Sequence, residues 1–275
     1  NVAPTIAGRH RNVALLDFAS MYPAIITGAN LCVTTKERHA GDNIRTVGNG
    51  THWTRERKGI LPSIVEDMMD LRREYKNKMK NAETEEEAFQ YDMLQTAVKV
   101  ATNAMYGYVS QRKVGGGWID SDIGSTITYY GRQCIDTLLL ESEKQGYRAL
   151  AGHTDSGYIQ VPFDETETLV EHLNKTIRNK LDLPNMDVEF EAYFDYWTTA
   201  DVKNRNFGII TWPEPDGLPN TNVIGFRKPD EIDGFLVDYP LCVDKFIRAK
   251  IKRLYDVLEW NLDEASGAKR PKKHW

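Results

Sequence analysis

Cysteine is scarce in this sequence and forms no pattern typical of a metal or disulfide site. The 275 residues include three cysteines, Cys32, Cys134 and Cys242, and no C-x-x-C pair. A zinc knuckle and a disulfide framework are therefore both disfavoured. Such cysteine usage is typical of a reducing, intracellular compartment. We expect the protein to be located in the cytoplasm or nucleoid of a cell, or in a virus-infected cell. A nuclear location is not excluded.

Long hydrophobic runs are absent as well. No apolar stretch approaches the roughly 20 residues that a membrane-spanning helix requires, and no signal peptide opens the chain. We therefore expect no membrane partner. The first residue is Asn1 rather than Met, which indicates a fragment or a processed piece.

Positive charge is limited overall but locally concentrated. The net charge of −5 disfavours a nucleic-acid partner. Residues 245–275, however, carry nine Lys and Arg against four Asp and Glu, and residues 54–80 carry eight against five. Phosphates respond to charges within about 8–10 Å, so an acidic protein can still bind DNA through a local basic surface. Solvated helix faces are the alternative explanation for both clusters.

Hydrophobic patterning predicts an α+β fold in which helices separate two groups of strands. RNVALLDF (11–18) is typical of a buried strand, and Pro23 ends it and begins a short helix. LAGHTDSGYIQV (150–161) predicts two strands around a tight turn that contains Asp155. Further helices are expected at about 121–145 and 164–182, and strands at 186–197 and 205–212. One face of the strand at 186–197 consists of Val188, Phe190, Ala192, Phe194 and Tyr196.

A helical hairpin is predicted between the two groups of strands. GILPSIVEDMMDLRREYKNKMK (59–80) has helical apolar spacing, and Thr84 and Glu87 form a capping-box pattern before a second helix, 85–107. The polar, glycine-containing segment 36–58 predicts an exposed loop. The apolar stripe of the first helix consists of Ile64, Met68, Leu71 and Tyr75.

Two carboxylates stand at the ends of predicted strands. Asp17 closes the first strand, and Asp155 lies in the turn much later in the chain. Carboxylate oxygens bind hard divalent cations, and two such ions can stabilise the attacking and leaving oxygens of a phosphoryl transfer. Because Asp also favours solvated turns, the pair alone does not decide the chemistry.

The second helix of the hairpin carries a face that is too polar to be an ordinary core face. Lys99, Asn103 and Tyr106 are spaced i, i+4 and i+7 on the second helix, and Arg72 and Lys76 are spaced i, i+4 on the first. Facing rows of cations repel unless an anion lies between them or the rows point in different directions. A triphosphate is one such anion, and a solvated face is the alternative.

Four segments together resemble the family B DNA polymerases. LLDFASMYPAII is similar to the family's first motif, D-F-x-S-L-Y-P-S-I-I, and KVATNAMYGY (99–108) to its second, K-x-x-x-N-S-x-Y-G. HTDS (153–156) is similar to the third, D-T-D-S, and the helix at 59–80 resembles the first fingers helix. The resemblance runs from about Val13 to Phe207. It implies template-directed DNA synthesis, in which a primer 3′-hydroxyl attacks a dNTP by two-metal nucleotidyl transfer.

The resemblance also implies a domain plan and a set of partners. It predicts a palm with an antiparallel sheet and flanking helices, inserted helical-hairpin fingers and the start of a helical thumb. The expected partners are primer–template DNA, dNTP and further polymerase segments (exonuclease, N-terminal and thumb domains), in the same full-length protein or as separate subunits. No proofreading domain is expected in this chain. The predicted boundaries are 1–58 and 114–240 for the palm, 59–113 for the fingers and 241–275 for the thumb.

Each motif residue receives a role from the resemblance. Asp17 and Asp155 are expected to be catalytic and to bind two Mg²⁺ ions, with Mn²⁺ as a substitute, and the carbonyl of Phe18 to join them. The ring of Tyr22 is expected to lie under the nucleotide sugar and exclude a 2′-hydroxyl. Nucleotide binding is expected of Ser20, Met21, Tyr22, Arg72, Lys76, Lys99 and Asn103, and DNA binding of Tyr106, Gly107, Thr154, Lys203 and Arg205.

His153 is the main departure from the family's pattern. It stands where the third motif usually begins with an acid, while the second acid is retained as Asp155. We expect a weakened or retuned metal site rather than a lost one, and a neutral His could ligate Mn²⁺. The alternative is that His153 fills a turn. A smaller departure is KNRNF (203–207), which stands where K-K-x-Y is usual and has one extra residue.

Two other functions compete with an active polymerase. A catalytically decayed module that binds DNA or a replication partner is motivated by His153. The retained metal and phosphate residues, Asp17, Tyr22, Arg72, Lys99, Asn103 and Asp155, argue against it. A two-metal nuclease would need further carboxylates and would leave the polar face of the second helix unexplained.

Overall fold

The computed structural model of the protein describes residues 5–111, 119–199, 206–212 and 224–226. These residues form a mixed structure of helices and largely antiparallel sheet, as the patterning predicted. None of the helices described has the length and apolar character of a membrane span. The elements in chain order are β1 (Gly8–Phe18), α1 (Met21–Gly28), β2 (Lys36–Glu37), β3 (Ile44–Thr46), β4 (His52–Thr54), α2 (Ile60–Lys80), α3 (Glu85–Val109), α4 (Ser121–Lys144), β5 (Arg148–Gly152), β6 (Ser156–Gln160), α5 (Phe163–Leu181), β7 (Val188–Thr199), β8 (Asn206–Trp212) and β9 (Ile224–Phe226).

The larger sheet joins strands that are far apart in the chain. Its order is β5-β6-β1-β7-β8-β9. β6 pairs antiparallel with both β5 and β1, and β7 pairs antiparallel with β8. β8 and β9, at the edge, pair in parallel. Because β1 and β6 are neighbours, the end of the first strand lies beside the turn that precedes β6.

The described residues fall into two compact units, each built from separate stretches of chain. Unit 1 draws on Asn1–Asp17, Leu139–Glu171 and Glu189–Trp275, and unit 2 on Phe18–Leu138 and His172–Val188. In unit 1 the core lies on the large sheet and includes the fully buried rings of Tyr158, Phe194 and Trp197. The stacked rings of Tyr158 and Trp197 have centroids 4.5 Å apart, which fixes β6 and β7 by aromatic packing.

The predicted helical hairpin is present in unit 2. α2 and α3 pack along each other, and α1 contacts both. Thr84 caps α3, because its side-chain oxygen accepts a hydrogen bond from the N–H of Glu87 at 3.2 Å. In an ordinary capping box the Glu87 carboxylate would accept a hydrogen bond from the N–H of Thr84. Here it accepts from the N–H of Glu83, one residue earlier.

The prediction of an exposed loop at 36–58 is wrong. Three short strands of this segment form a second sheet, in the order β2-β4-β3. Trp53 is fully buried, and its Nε1 donates to Thr51 Oγ1 at 3.0 Å. Thr51 in turn shares a 2.8 Å hydrogen bond with Thr126. Polar side chains that satisfy one another produce this buried structure, so hydrophobic patterning did not detect it.

Two predicted faces are also corrected. On α2, the residues expected in an apolar stripe include Ile64 and Leu71, which are exposed, whereas the buried residues are Leu61, Pro62 and Val65. On β7, the simple alternation is interrupted by register shifts around Phe194. These shifts bring the adjacent residues Tyr193 and Phe194 both into buried positions, as a bulge does.

Candidate active site

The hairpin that carries the third motif forms as predicted. The N–H of His153 donates to the carbonyl of Ser156 at 2.7 Å, which closes a turn with Thr154 and Asp155 at its tip. Both tip residues are exposed. The Asp155 carboxylate therefore faces solvent from a turn that is held by the strands on either side.

The register of β1 and β6 brings the two motif acids to the same end of the sheet. Asp17 is the direct cross-strand partner of Ser156, so their Cα atoms are about 5 Å apart. Asp155 is the residue before Ser156. Asp17 and Asp155 thus stand at the same end of the sheet in unit 1, although about half of the chain separates them.

Two carboxylates act on the buried hydroxyl of Tyr158. Burial raises the pKa of the Tyr158 hydroxyl, and the Glu191 and Asp17 carboxylates raise it further. Both carboxylates therefore lie close enough to Tyr158 to act on its ring hydroxyl.

The donor atoms fit magnesium. In the part of the chain that is described, no group of three or more His, Cys, Asp or Glu could hold a metal ion. Mg²⁺ in nucleotide enzymes is usually held by one or two carboxylates, with substrate phosphates and water completing its shell. Asp17 and Asp155 supply such a pair, and the backbone carbonyl of Phe18 is a further oxygen near Asp17 in the chain. The Phe18 side chain is buried and has no ligand atom, so only its backbone could serve.

His153 has a packing contact that the sequence did not reveal. Its ring stands edge-on to the Tyr158 ring, with centroids 5.3 Å apart. The residue is half-buried. This contact supports the interpretation that His153 fills space at the turn, and it connects the third motif to the aromatic core of unit 1.

The first motif continues into unit 2 at a strained residue. Ser20 precedes α1 with φ 53° and ψ 49°, a left-handed conformation that is uncommon outside glycine. Met21 is buried and begins the helix. The first N–H groups of a helix have no partner within it and favour anions, so the turn at Ser20 and Met21 is suited to phosphate.

Tyr22 and Tyr106 are brought together in unit 2. Their ring centroids are 4.4 Å apart, with planes tilted by 42°. α1 carries the first ring and α3 the second. The residue that was predicted to form the wall under the sugar is thus supported from the side by a residue predicted to contact the base pair.

Arg72 donates hydrogen bonds to Ser20 and to Gln95. Its Nη1 donates to Ser20 Oγ at 2.9 Å and its Nε to Gln95 Oε1 at 3.2 Å. Gln95 was not among the predicted site residues. Its position four residues before Lys99, on the same helix face, was the one signal that could have identified it.

The remaining predicted residues of α2 and α3 lie along the hairpin. Lys99, Asn103 and Gly107 are exposed, and Lys76 is half-buried. A Cβ added at Gly107 would meet no atom within 4 Å, so the backbone there borders open space. Lys203, Arg205 and the predicted thumb at 241–275 lie outside the described residues.

Comparison with known proteins identifies the family. The family model described as "DNA polymerase family B" matches residues 3–198. The chain belongs to DNA polymerase family B. Relatives include the "DNA polymerase" of Thermococcus gorgonarius, 29% identical over 68% of this chain and 24% of that protein. Another is the "DNA polymerase delta catalytic subunit" of Caenorhabditis elegans, 30% identical over 74% of this chain and 20% of that protein.

The family B fold is also recovered by structural similarity. The structure of the family B DNA polymerase from Pyrobaculum calidifontis superposes with a TM-score of 0.60 at 23% identity. The match covers 96% of this chain and 35% of the Pyrobaculum protein. The chain thus spans only about a quarter of the length of the Thermococcus relative.

Proposed function

We propose that this chain carries the palm and fingers of a DNA-directed DNA polymerase that extends a primer on a DNA template from dNTPs. The observation that carries the proposal is the β1–β6 register, in which Asp17 lies opposite Ser156 and beside Asp155. Family membership and the arrangement of Arg72, Tyr22 and Tyr106 in unit 2 support it. In this plan the palm comprises 1–58 and 114–240, the fingers 59–113 and the start of the thumb 241–275.

Asp17, Asp155 and the Phe18 carbonyl are proposed to hold two Mg²⁺ ions. When bound, such ions stabilise charge on the attacking and leaving oxygens of a phosphoryl transfer. The chain's own residues position the nucleotide. Arg72 and Lys99 hold its β- and γ-phosphates with help from Lys76, and the backbone at Ser20 and Met21 receives the same phosphates through N–H groups.

The sugar and base are proposed to contact the other residues of the site. Tyr22 forms the wall that excludes a 2′-hydroxyl, and Asn103 lies beside the nascent base pair. Tyr106, Gly107 and Thr154 contact DNA, and the open space at Gly107 supports close approach of a base pair to the α3 backbone. Lys203 and Arg205 are proposed to contact the primer–template.

Primer extension by the protein at its full natural length tests the proposal. We expect extension with Mg²⁺ or Mn²⁺. The isosteric change Asp155→Asn should slow it about a thousandfold, since losing roughly 4 kcal/mol of charge stabilisation has that effect. Asp195→Asn, an exposed acid on β7 of the same unit, is the matched control and should leave the rate unchanged. Wild type that binds primer–template but extends no primer with either metal would instead favour a decayed DNA-binding module.

A further inference from the structure

Arg72 joins three segments of unit 2. It lies on α2, and its two hydrogen bonds reach Ser20, just before α1, and Gln95 on α3. A guanidinium has five N–H donors in a rigid plane. One bond from Nε and one from Nη1 therefore set the direction in which the whole plane faces.

The amide of Gln95 is itself held in one orientation. Its Nε2 donates to Asp92 Oδ1 and to Thr96 Oγ1, both at 2.9 Å. An ionised carboxylate can only accept hydrogen bonds, so the amide nitrogen must face Asp92. The amide oxygen is thereby turned toward Arg72, whose Nε can only donate.

Ser20 presents its hydroxyl from a conformation that few residues adopt. Its φ of 53° and ψ of 49° are unfavourable for a residue with a Cβ, and such strain persists where the surroundings hold it. Glycine would adopt this backbone more easily. The backbone conformation alone would favour glycine at position 20. The serine found there instead places a side-chain oxygen beside Arg72.

We propose that Gln95, together with the hydroxyl of Ser20, is a positioning residue that holds the Arg72 guanidinium ready for a nucleotide triphosphate. A long, flexible Arg side chain loses rotamer freedom when it binds a phosphate. A guanidinium that is already fixed loses less, and the saving appears as tighter binding. The inference rests on the proposed function, because it names the triphosphate as the ligand of Arg72.

A double-mutant cycle on binding of inorganic tripolyphosphate, measured by calorimetry with the full-length protein and Mg²⁺, tests this inference. Gln95→Leu should raise the Kd about tenfold, in the range expected for a lost hydrogen bond to a charged group. In an Arg72→Ala background the same change should have no further effect, since Gln95 acts through Arg72. Gln90→Leu removes an exposed glutamine from the same helix and should leave the Kd unchanged.

A second variant, Ser20→Gly, tests the same inference in case the Gln95→Leu protein does not fold. Ser20→Gly suits the left-handed backbone and removes only the hydroxyl, so it should fold and raise the Kd severalfold, again only when Arg72 is present. In primer extension, both variants should raise the KM for dNTP much more than they lower kcat. A general structural defect would lower kcat as well.

The outcomes separate this inference from the proposed function. The positioning role of Gln95 would be overturned if Gln95→Leu bound tripolyphosphate as tightly as the wild type. It would also be overturned if Gln95→Leu weakened binding equally with and without Arg72, or if the wild type did not bind tripolyphosphate. A wild type that extends no primer but gives the coupled cycle would overturn the polymerase proposal and leave the role of Gln95 standing.

Discussion

The Tyr22 ring packs against the ring of Tyr106. Their 4.4 Å contact is of the kind that contributes about 0.5–1.5 kcal/mol beyond simple burial. We predict that Tyr106→Ala loosens Tyr22 and lowers discrimination against ribonucleotides by up to roughly tenfold. The measurement is the ratio of kcat/KM for dNTP and rNTP in primer extension. Tyr106→Phe keeps the ring and should keep the ratio, whereas an unchanged ratio in the alanine variant would show that Tyr22 needs no support.

A second prediction concerns the histidine of the third motif. His153 packs edge-on against Tyr158, and Asp17 and Glu191 influence the same ring. We expect His153→Asp to lose the ring contact and add negative charge, lowering the free energy of unfolding by about 1 kcal/mol in EDTA. Urea unfolding measures this, and Mg²⁺ should restore part of the loss.

His153→Phe is the control for that prediction, because it retains an aromatic ring. We expect its unfolding free energy to match that of the wild type with or without Mg²⁺. If His153→Asp proves as stable as the wild type in EDTA, the contact with Tyr158 contributes nothing to the turn.

The positions of the motif residues could be predicted from the sequence, because their places at strand ends and along helices indicate which of them share a surface. Asp17 and Asp155 were recognised at strand ends, and the β1–β6 register brings them together. Gln95 could not be recognised, because a single glutamine on a polar helix has no distinguishing pattern. Its significance depends on the position of Arg72 in a different helix, which only a three-dimensional structure supplies.

Arg45 ties β3 to the ends of two helices in unit 2. The Arg45 guanidinium is almost fully buried and forms a 3.0 Å ion pair with the Asp182 carboxylate. It also donates hydrogen bonds to Tyr130 Oη and to the carbonyls of Gly28, Leu181 and Asp182. We predict that Arg45→Met lowers the free energy of unfolding by about 3 kcal/mol, because it leaves the buried Tyr130 hydroxyl and three partly buried carbonyls without this donor. Arg45→Lys should recover little of this, since an ammonium cannot span these acceptors.

Arg55 provides the matched comparison for Arg45 in urea unfolding. It contacts the same Asp182 carboxylate at 2.6 Å, but both side chains are about half exposed. Exposed ion pairs contribute roughly 0–1 kcal/mol, so Arg55→Met should be nearly neutral. Equal losses at the two positions would mean that burial is not what gives Arg45 its importance.

Helices were predicted more accurately than the small sheet for a physical reason. α2 and α3 are long helices whose limits depend on nearby residues, such as the Thr84 cap of α3. β2, β3 and β4 are stabilised by distant partners such as the Thr51–Thr126 hydrogen bond. The bulged face of β7 likewise depends on its pairing with β8, which the sequence of β7 does not contain.

The two units meet along the chain at the first motif. Asp17 is the last residue of the first stretch of unit 1, and Phe18 is the first residue of unit 2. The two motif acids, Asp17 and Asp155, therefore belong to one unit, while Tyr22, Arg72 and Lys99 belong to the other.

Stability of the protein in alkaline solution should depend on a buried thiol. Cys134, on α4, is fully buried, and burial raises the pKa of its thiol from 9.0 to about 12. Between these two pH values the unfolded chain loses the thiol proton while the folded chain keeps it. The free energy of unfolding therefore falls as pH rises through this window, at a rate approaching about 1 kcal/mol per pH unit from this group.

Replacing the thiol tests this contribution against all other groups that titrate in the same window. Cys134→Ala and Cys134→Val change the packing in opposite directions, but both remove the ionisable group. We predict that urea unfolding between pH 9 and 11 gives a shallower decline for both variants than for the wild type, whatever their stability at pH 7. If the free energy of unfolding falls with pH equally steeply in both variants and in the wild type, the thiol ionises in the folded protein as it does in the unfolded chain.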